Sequence, residues 1–115
     1  MKLNYGVIGT GMMGCEHIRN LKKIPDVSIV AIADPNEESR TWALKACEDK
    51  FKIRLYEDYK ELLAQKDIDV VVVASPNFTH IEVMRELFKT DKHVLLEKPM
   101  CTTFLDGLEI LKKSK

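Results

Sequence analysis

Short apolar runs alternate along the chain with segments whose apolar positions recur every three or four residues. The runs "LNYGVI" (3–8), "VSIVAIA" (27–33) and "DVVVVA" (69–74) are too short for buried helices and rich in β-branched residues, so they read as strands. The last of them shows no alternation, the pattern of a strand covered on both faces. Residues 11–23 are predicted to be helical, with Met13, His17, Leu21 and Ile24 facing a sheet, and the Pro25-Asp26 turn leads into the second strand. A second helix is expected over 36–49, with Trp42, Ala43, Ala46 and Cys47 on one face. A short strand at 52–55, a short helix at 58–65, a helix at 79–90 and a strand at 93–96 follow. Thr79 and Glu82, three residues apart, have the spacing of a capping box. Thr103 and Asp106 can cap a last helix bearing Phe104, Leu108 and Leu111.

Strand and helix alternating from end to end imply an α/β, doubly wound fold with a mostly parallel sheet, since parallel strands need helical crossovers that cover both faces. The expected strand order is 3-2-1-4-5. Composition bears on what such a fold handles. The 115 residues suffice for one domain, and 18 basic against 18 acidic residues, interspersed, give no case for a nucleic acid or an anionic membrane as partner. No apolar run approaches the roughly 20 residues of a membrane span, which makes a soluble, cytoplasmic protein the expectation. Cys15, Cys47 and Cys101 form no CxxC pair, and His17, His80 and His93 lack ligand spacing, so neither a disulfide framework nor a metal site is expected.

Three motifs fall after strands. "GTGMMG", Gly9-Thr10-Gly11-Met12-Met13-Gly14, is a G-x-G-x-x-G fingerprint with the required strand before it and helix after it. Gly9 allows the tight turn, Gly11 admits a pyrophosphate to the main chain, and Gly14 permits close packing of helix on strand. The phosphates then rest on the unpaired amides at the positive end of the first helix. Asp34, 20 residues beyond Gly14 at the end of the second strand, is placed to accept hydrogen bonds from an adenosine ribose and to repel a 2′-phosphate. That favours NAD, with NADP as the alternative and Arg40 as the residue that would accommodate it. Asp34, Pro35 and Asn36 also read as simple turn and cap chemistry, which is compatible with both.

"SPNFTH" (75–80) and "LEKPM" (96–100) follow the fourth and fifth strands. In a sheet of order 3-2-1-4-5 the order reverses between the first and fourth strands, and ligands bind in the crevice at that switch point. Pro76 holds Ser75 extended. Asn77 offers a donor and an acceptor to a ribose or carboxamide. Lys98, stiffened by Pro99, is placed to steady a substrate hydroxyl or share its proton. A lysine in a solvated turn is the plainer reading of that residue taken alone.

These stretches, "GVIGTGMMGCEHIRNLKKIPDVSIVAIAD", "SPNFTHIEVM" and "HVLLEKPM", resemble the N-terminal dinucleotide-binding domain of the glucose-fructose oxidoreductase, inositol dehydrogenase and MocA family over essentially the whole chain. The resemblance implies a Rossmann fold. It also implies cofactor contacts from Gly9, Thr10, Gly11, Met12, Met13, Gly14, Asp34, Ser75, Pro76, Asn77, His80, Glu97 and Lys98, and action at the substrate by Lys98. His17 matches a frequent histidine of the first helix, for which packing against the sheet is the preferred reading. The implied activity is hydride transfer between NAD(P) and a sugar or polyol. A dinucleotide-sensing or protein-binding module is the alternative. Family members carry a second α/β domain that supplies most of the substrate pocket, so residues 1–115 are expected to act as the cofactor domain, inactive alone and prone to self-association.

Overall fold

In a computed structural model, residues 3–47, 53–76 and 79–96 are described. Nine elements follow in alternation: β1 (Leu3–Ile8), α1 (Met12–Leu21), β2 (Val27–Ala33), α2 (Glu37–Cys47), β3 (Arg54–Tyr56), α3 (Tyr59–Leu63), β4 (Val70–Val73), α4 (His80–Leu87) and β5 (His93–Leu96). The strands form one sheet in the order β3-β2-β1-β4-β5, and every pairing is parallel. This is the doubly wound α/β arrangement read from the alternation of runs. β1 lies between β2 and β4, so the order reverses beside the glycine-rich turn.

The buried apolar residues of the central strands divide between two cores. Ile8, Ala31, Ala33, Val71 and Val73 pack with Leu62, Ile68, Val83, Met84 and Leu87 on the side of α3 and α4. Val7, Ile29, Ile32 and Val72 pack with Cys15, Ile18, Leu21, Ala43 and Ala46 on the side of α1 and α2. Val71, Val72 and Val73 are fully buried, which is why β4 carries no polar alternation.

The helix faces differ from the periodicity reading. Met13, Ile24 and Trp42 are exposed, and His17 is half-buried; the residues of α1 turned to the sheet are Gly14, Cys15, Ile18 and Leu21. On α2 Ala43 and Ala46 are buried as expected, and the Cys47 side chain lies outside the described residues. On α1 the small Gly14 and Cys15 let the helix approach the sheet closely, and a pattern that weights large apolar side chains rotates the predicted face away from them. β3 also lies further along than 52–55, because it pairs with the last residues of β2, Ala31 to Ala33. The Thr79–Glu82 capping box does not form. Thr79 already has helical backbone angles, and its hydroxyl donates to the Pro76 carbonyl at 2.6 Å and, its one proton thus used, accepts from the Ser75 hydroxyl at 2.8 Å. Asp58 does cap α3, accepting from the Lys60 amide at 2.9 Å. The helix expected around Phe104, Leu108 and Leu111 lies outside the described residues.

Candidate functional site

A cleft of about 1210 Å³ opens over the carboxyl ends of β1, β2, β3 and β4. It exceeds the roughly 300–1,000 Å³ of sites for drug-sized ligands. Its walls come from Ile8, Gly9, Gly11 and Met13, from residues 33–36 with Ser39, from residues 57–59, and from residues 74–76 with Thr79, Glu82 and Val83.

The three glycines of the turn do three different things. Gly9 has φ +89, and a Cβ there would stand 2.4 Å from the Ser75 amide nitrogen, so the turn is pressed against the backbone that leaves β4. A Cβ on Gly14 would stand 2.0 Å from the Gly9 carbonyl oxygen, so this glycine seats α1 on the turn itself more than on the strand. At Gly11 a Cβ would meet nothing within 4 Å; its missing side chain leaves open space facing the cleft. Gly11 is the N-cap of α1, has no side chain to cap it, and accepts the first helical bond, from the Cys15 amide at 3.0 Å. The amides of the first turn therefore have no intrahelical acceptor, and no acidic residue stands in that turn. An anion fits this end of the helix on both counts.

Asp34 closes the turn from the other side. Its Oδ2 accepts from the amide and the hydroxyl of the fully buried Thr10, at 2.8 and 3.1 Å, and its Oδ1 accepts from the Asn36 amide at 2.8 Å. Three of the roughly four acceptor positions of a carboxylate are thus taken, and one remains on Oδ1. Asn36 in turn caps α2 through the Ser39 amide at 3.0 Å. Turn chemistry and a place on the cleft wall coexist in Asp34. Arg40 does not reach into the cleft. Its guanidinium donates to the Asp34 carbonyl and lies 3.9 Å from Glu57 Oε1.

On the far wall, Ser75, Pro76 and Thr79 line the cleft, whereas His80 lies behind it. His80 is fully buried, with Nε2 2.9 Å from the Ser75 carbonyl, so that nitrogen carries the proton and donates. The expected lining role passes to the segment that His80 holds. Asn77, Glu97 and Lys98 lie outside the described residues, as does the Met12 side chain. Glu57, Asp58 and Tyr59 line the cleft without being singled out in the sequence, and Glu82, which the sequence offers only as half of a capping box, lines it too. The end of β3 faces the same edge as the other strand ends, but three residues of strand carry too weak a pattern to draw attention to it.

Two groups near the cleft titrate abnormally. Burial pushes the Cys15 thiol up; Arg19 opposes the shift and Asp34 adds to it. Burial also raises the Tyr59 phenol, with Glu82, Glu86 and Asp58 contributing in the same direction. Among the described residues no group of His, Cys, Asp and Glu could hold a metal ion, and no helix is long and apolar enough to cross a membrane.

A parallel sheet, a glycine turn at its switch point and an acid at the end of β2 invite comparison with dinucleotide-binding proteins. The oxidoreductase family Gfo/Idh/MocA, NAD-binding Rossmann fold, matches residues 3–115. The chain belongs to this family. Among Gfo/Idh/MocA proteins it is 37% identical over 112 residues to inositol 2-dehydrogenase 2 of Paenarthrobacter aurescens, covering 96% of this chain and 32% of that protein. It is 33% identical over 114 residues to myo-inositol 2-dehydrogenase of Thermotoga maritima, covering 98% and 33% respectively. The crystal structure of myo-inositol dehydrogenase from Lactobacillus casei, in complex with NAD(H) and myo-inositol, superposes with a TM-score of 0.91 at 33% identity, over 98% of this chain and 33% of that one. The chain spans about a third of the length of the curated relatives it matches. It has the NAD-binding Rossmann domain of Gfo/Idh/MocA oxidoreductases.

Proposed function

We propose that the cleft binds NAD with its pyrophosphate on the turn 9–14 and its adenosine ribose at Asp34, in the service of hydride transfer between the nicotinamide and a hydroxyl-bearing carbon of a cyclic polyol or sugar, whose O–H gives up its proton as the carbonyl forms. The observation that carries this reading is the open space at Gly11, flanked by uncapped helix amides on one side and by a fixed carboxylate on the other. Bound NAD supplies the hydride acceptor. The chain's own residues bind and orient it. The first-turn amides of α1 take the phosphate charge, the free acceptor position of Asp34 Oδ1 takes a ribose hydroxyl, and Ser75 and Pro76 form the wall toward β4. Lys98, two residues beyond the last residue of β5, is assigned to the substrate hydroxyl through Nζ, as a hydrogen-bond donor or as the group that shares its proton. Residues 1–115 act in this reading as the dinucleotide-binding unit. The inositol dehydrogenases among the relatives support a polyol as the substrate class.

Calorimetric titration of the chain with NADH and with NADPH tests the reading. Binding of NADH in preference to NADPH is expected, and absence of binding by either dinucleotide would overturn it.

A further inference from the structure

The described wall of the cleft carries four carboxylates, Asp34, Glu57, Asp58 and Glu82, and no lysine, arginine or histidine. The cation that the sequence sets beside the Asp34 corner is Arg40, and it is already committed. One of its nitrogens donates to the Asp34 carbonyl, another lies 3.9 Å from Glu57 Oε1, and its side chain is only 13% exposed. Glu57 itself is 81% exposed and stands on the wall, just past the end of β3. A phosphate arriving at this corner would have to displace Glu57 and draw out a buried guanidinium to gain a cationic partner.

We propose that Glu57 is a specificity-determining residue of the cleft: with Arg40 committed to the Asp34 carbonyl, it places a second negative charge beside Asp34, so that a dinucleotide carrying a 2′-phosphate is rejected. The inference rests on the reading that Asp34 faces the adenosine ribose. NADPH differs from NADH at that ribose by a phosphate bearing close to two negative charges at neutral pH. Glu57 therefore acts on the difference between the two ligands and leaves their common parts alone. Asp34 and Glu57 have separate tasks. Asp34 accepts a hydroxyl and shapes the turn, while Glu57 acts through charge alone, from the solvent side.

The test is to measure Kd for NADH and NADPH on the full chain, its Glu57→Gln variant and its Glu82→Gln variant, at low salt and at about 1 M NaCl. At low salt Glu57→Gln should tighten NADPH by roughly three- to ten-fold while NADH stays within about two-fold, as expected for one charge acting on a phosphate across water. At about 1 M salt, where the Debye length falls to about 3 Å, the variant and the wild type should converge, which a merely structural role would not produce. An unchanged ratio of the two Kd values in Glu57→Gln overturns the inference alone. So does an equal selective gain in Glu82→Gln, which would point to the diffuse field of the wall instead of one residue. Failure of the wild type to bind NADH overturns the reading beneath it, and the inference with it.

Discussion

Thr10 gives both its backbone amide and its hydroxyl to one oxygen of Asp34, at 2.8 and 3.1 Å, across 24 residues of sequence. The pair ties the middle of the glycine turn to the end of β2. It orients the carboxylate before any ligand arrives, so a ribose meets an acceptor whose position is already fixed and little ordering remains to be done on binding.

Asp34→Ala should therefore affect two properties at once. The buried Thr10 amide loses its acceptor, at a cost of about 1–3 kcal/mol in unfolding free energy. NADH affinity should fall about ten-fold, with NADPH affected less because a repulsive charge is also removed. Urea unfolding and calorimetry on the same variant check both; a variant that loses neither stability nor NADH affinity would show that the carboxylate is a surface feature.

Gly9→Ala and Gly14→Ala should destabilise the fold directly. The first places a side chain at φ +89 and 2.4 Å from the Ser75 nitrogen, and the second places one 2.0 Å from the Gly9 carbonyl. Neither neighbour is a side chain that can swing aside, so each variant should lose about 2–5 kcal/mol. Urea midpoints equal to the wild type would contradict this packing of turn on strand.

Alkaline pH should weaken the protein. The Cys15 thiol and the Tyr59 phenol are both raised in the folded chain, so the folded state holds these protons more tightly than the unfolded state does. Their contribution is constant below the ordinary thiol range, about 8.5, and stability declines as pH rises through that range and then through the phenol range near 10. Comparing urea midpoints between pH 7 and pH 10.5, Cys15→Ala should flatten the first part of the decline and Tyr59→Phe the second. Slopes identical to the wild type in both variants would contradict the assignment.

Most of this architecture was legible in the sequence because it rests on local rules. The β-branched run that ends at Val73 carries its burial on both faces openly, and the reversal of strand order follows from where "GTGMMG" and "SPNFTH" stand in the alternation. Contacts made across the fold were not legible. Nothing near Thr10 in sequence announces that its amide is spoken for by Asp34, or near Arg40 that the Asp34 carbonyl holds it. Thr79 matches a capping pattern, yet its hydroxyl donates to the Pro76 carbonyl and accepts from the Ser75 hydroxyl instead, since a helical turn begins one step earlier there. Met13 is exposed because α1 turns its small residues Gly14 and Cys15 to the sheet, which apolar size alone does not predict, whereas on α2 Ala43 and Ala46 are buried as expected and only Trp42 turns outward.

Gly11→Val separates dinucleotide binding at the glycine turn from folding. Gly11 has φ -73 and ψ -158, extended backbone open to any residue, and its Cβ would project into empty space. The fold should tolerate the change within about 1 kcal/mol, the scale of a poorer helix N-cap. The variant should keep a thermal midpoint close to the wild type and lose NADH affinity by at least roughly ten-fold, because the pyrophosphate can no longer reach the main chain. Undiminished NADH binding by a folded Gly11→Val chain would contradict the claim that the glycine turn is where the dinucleotide sits.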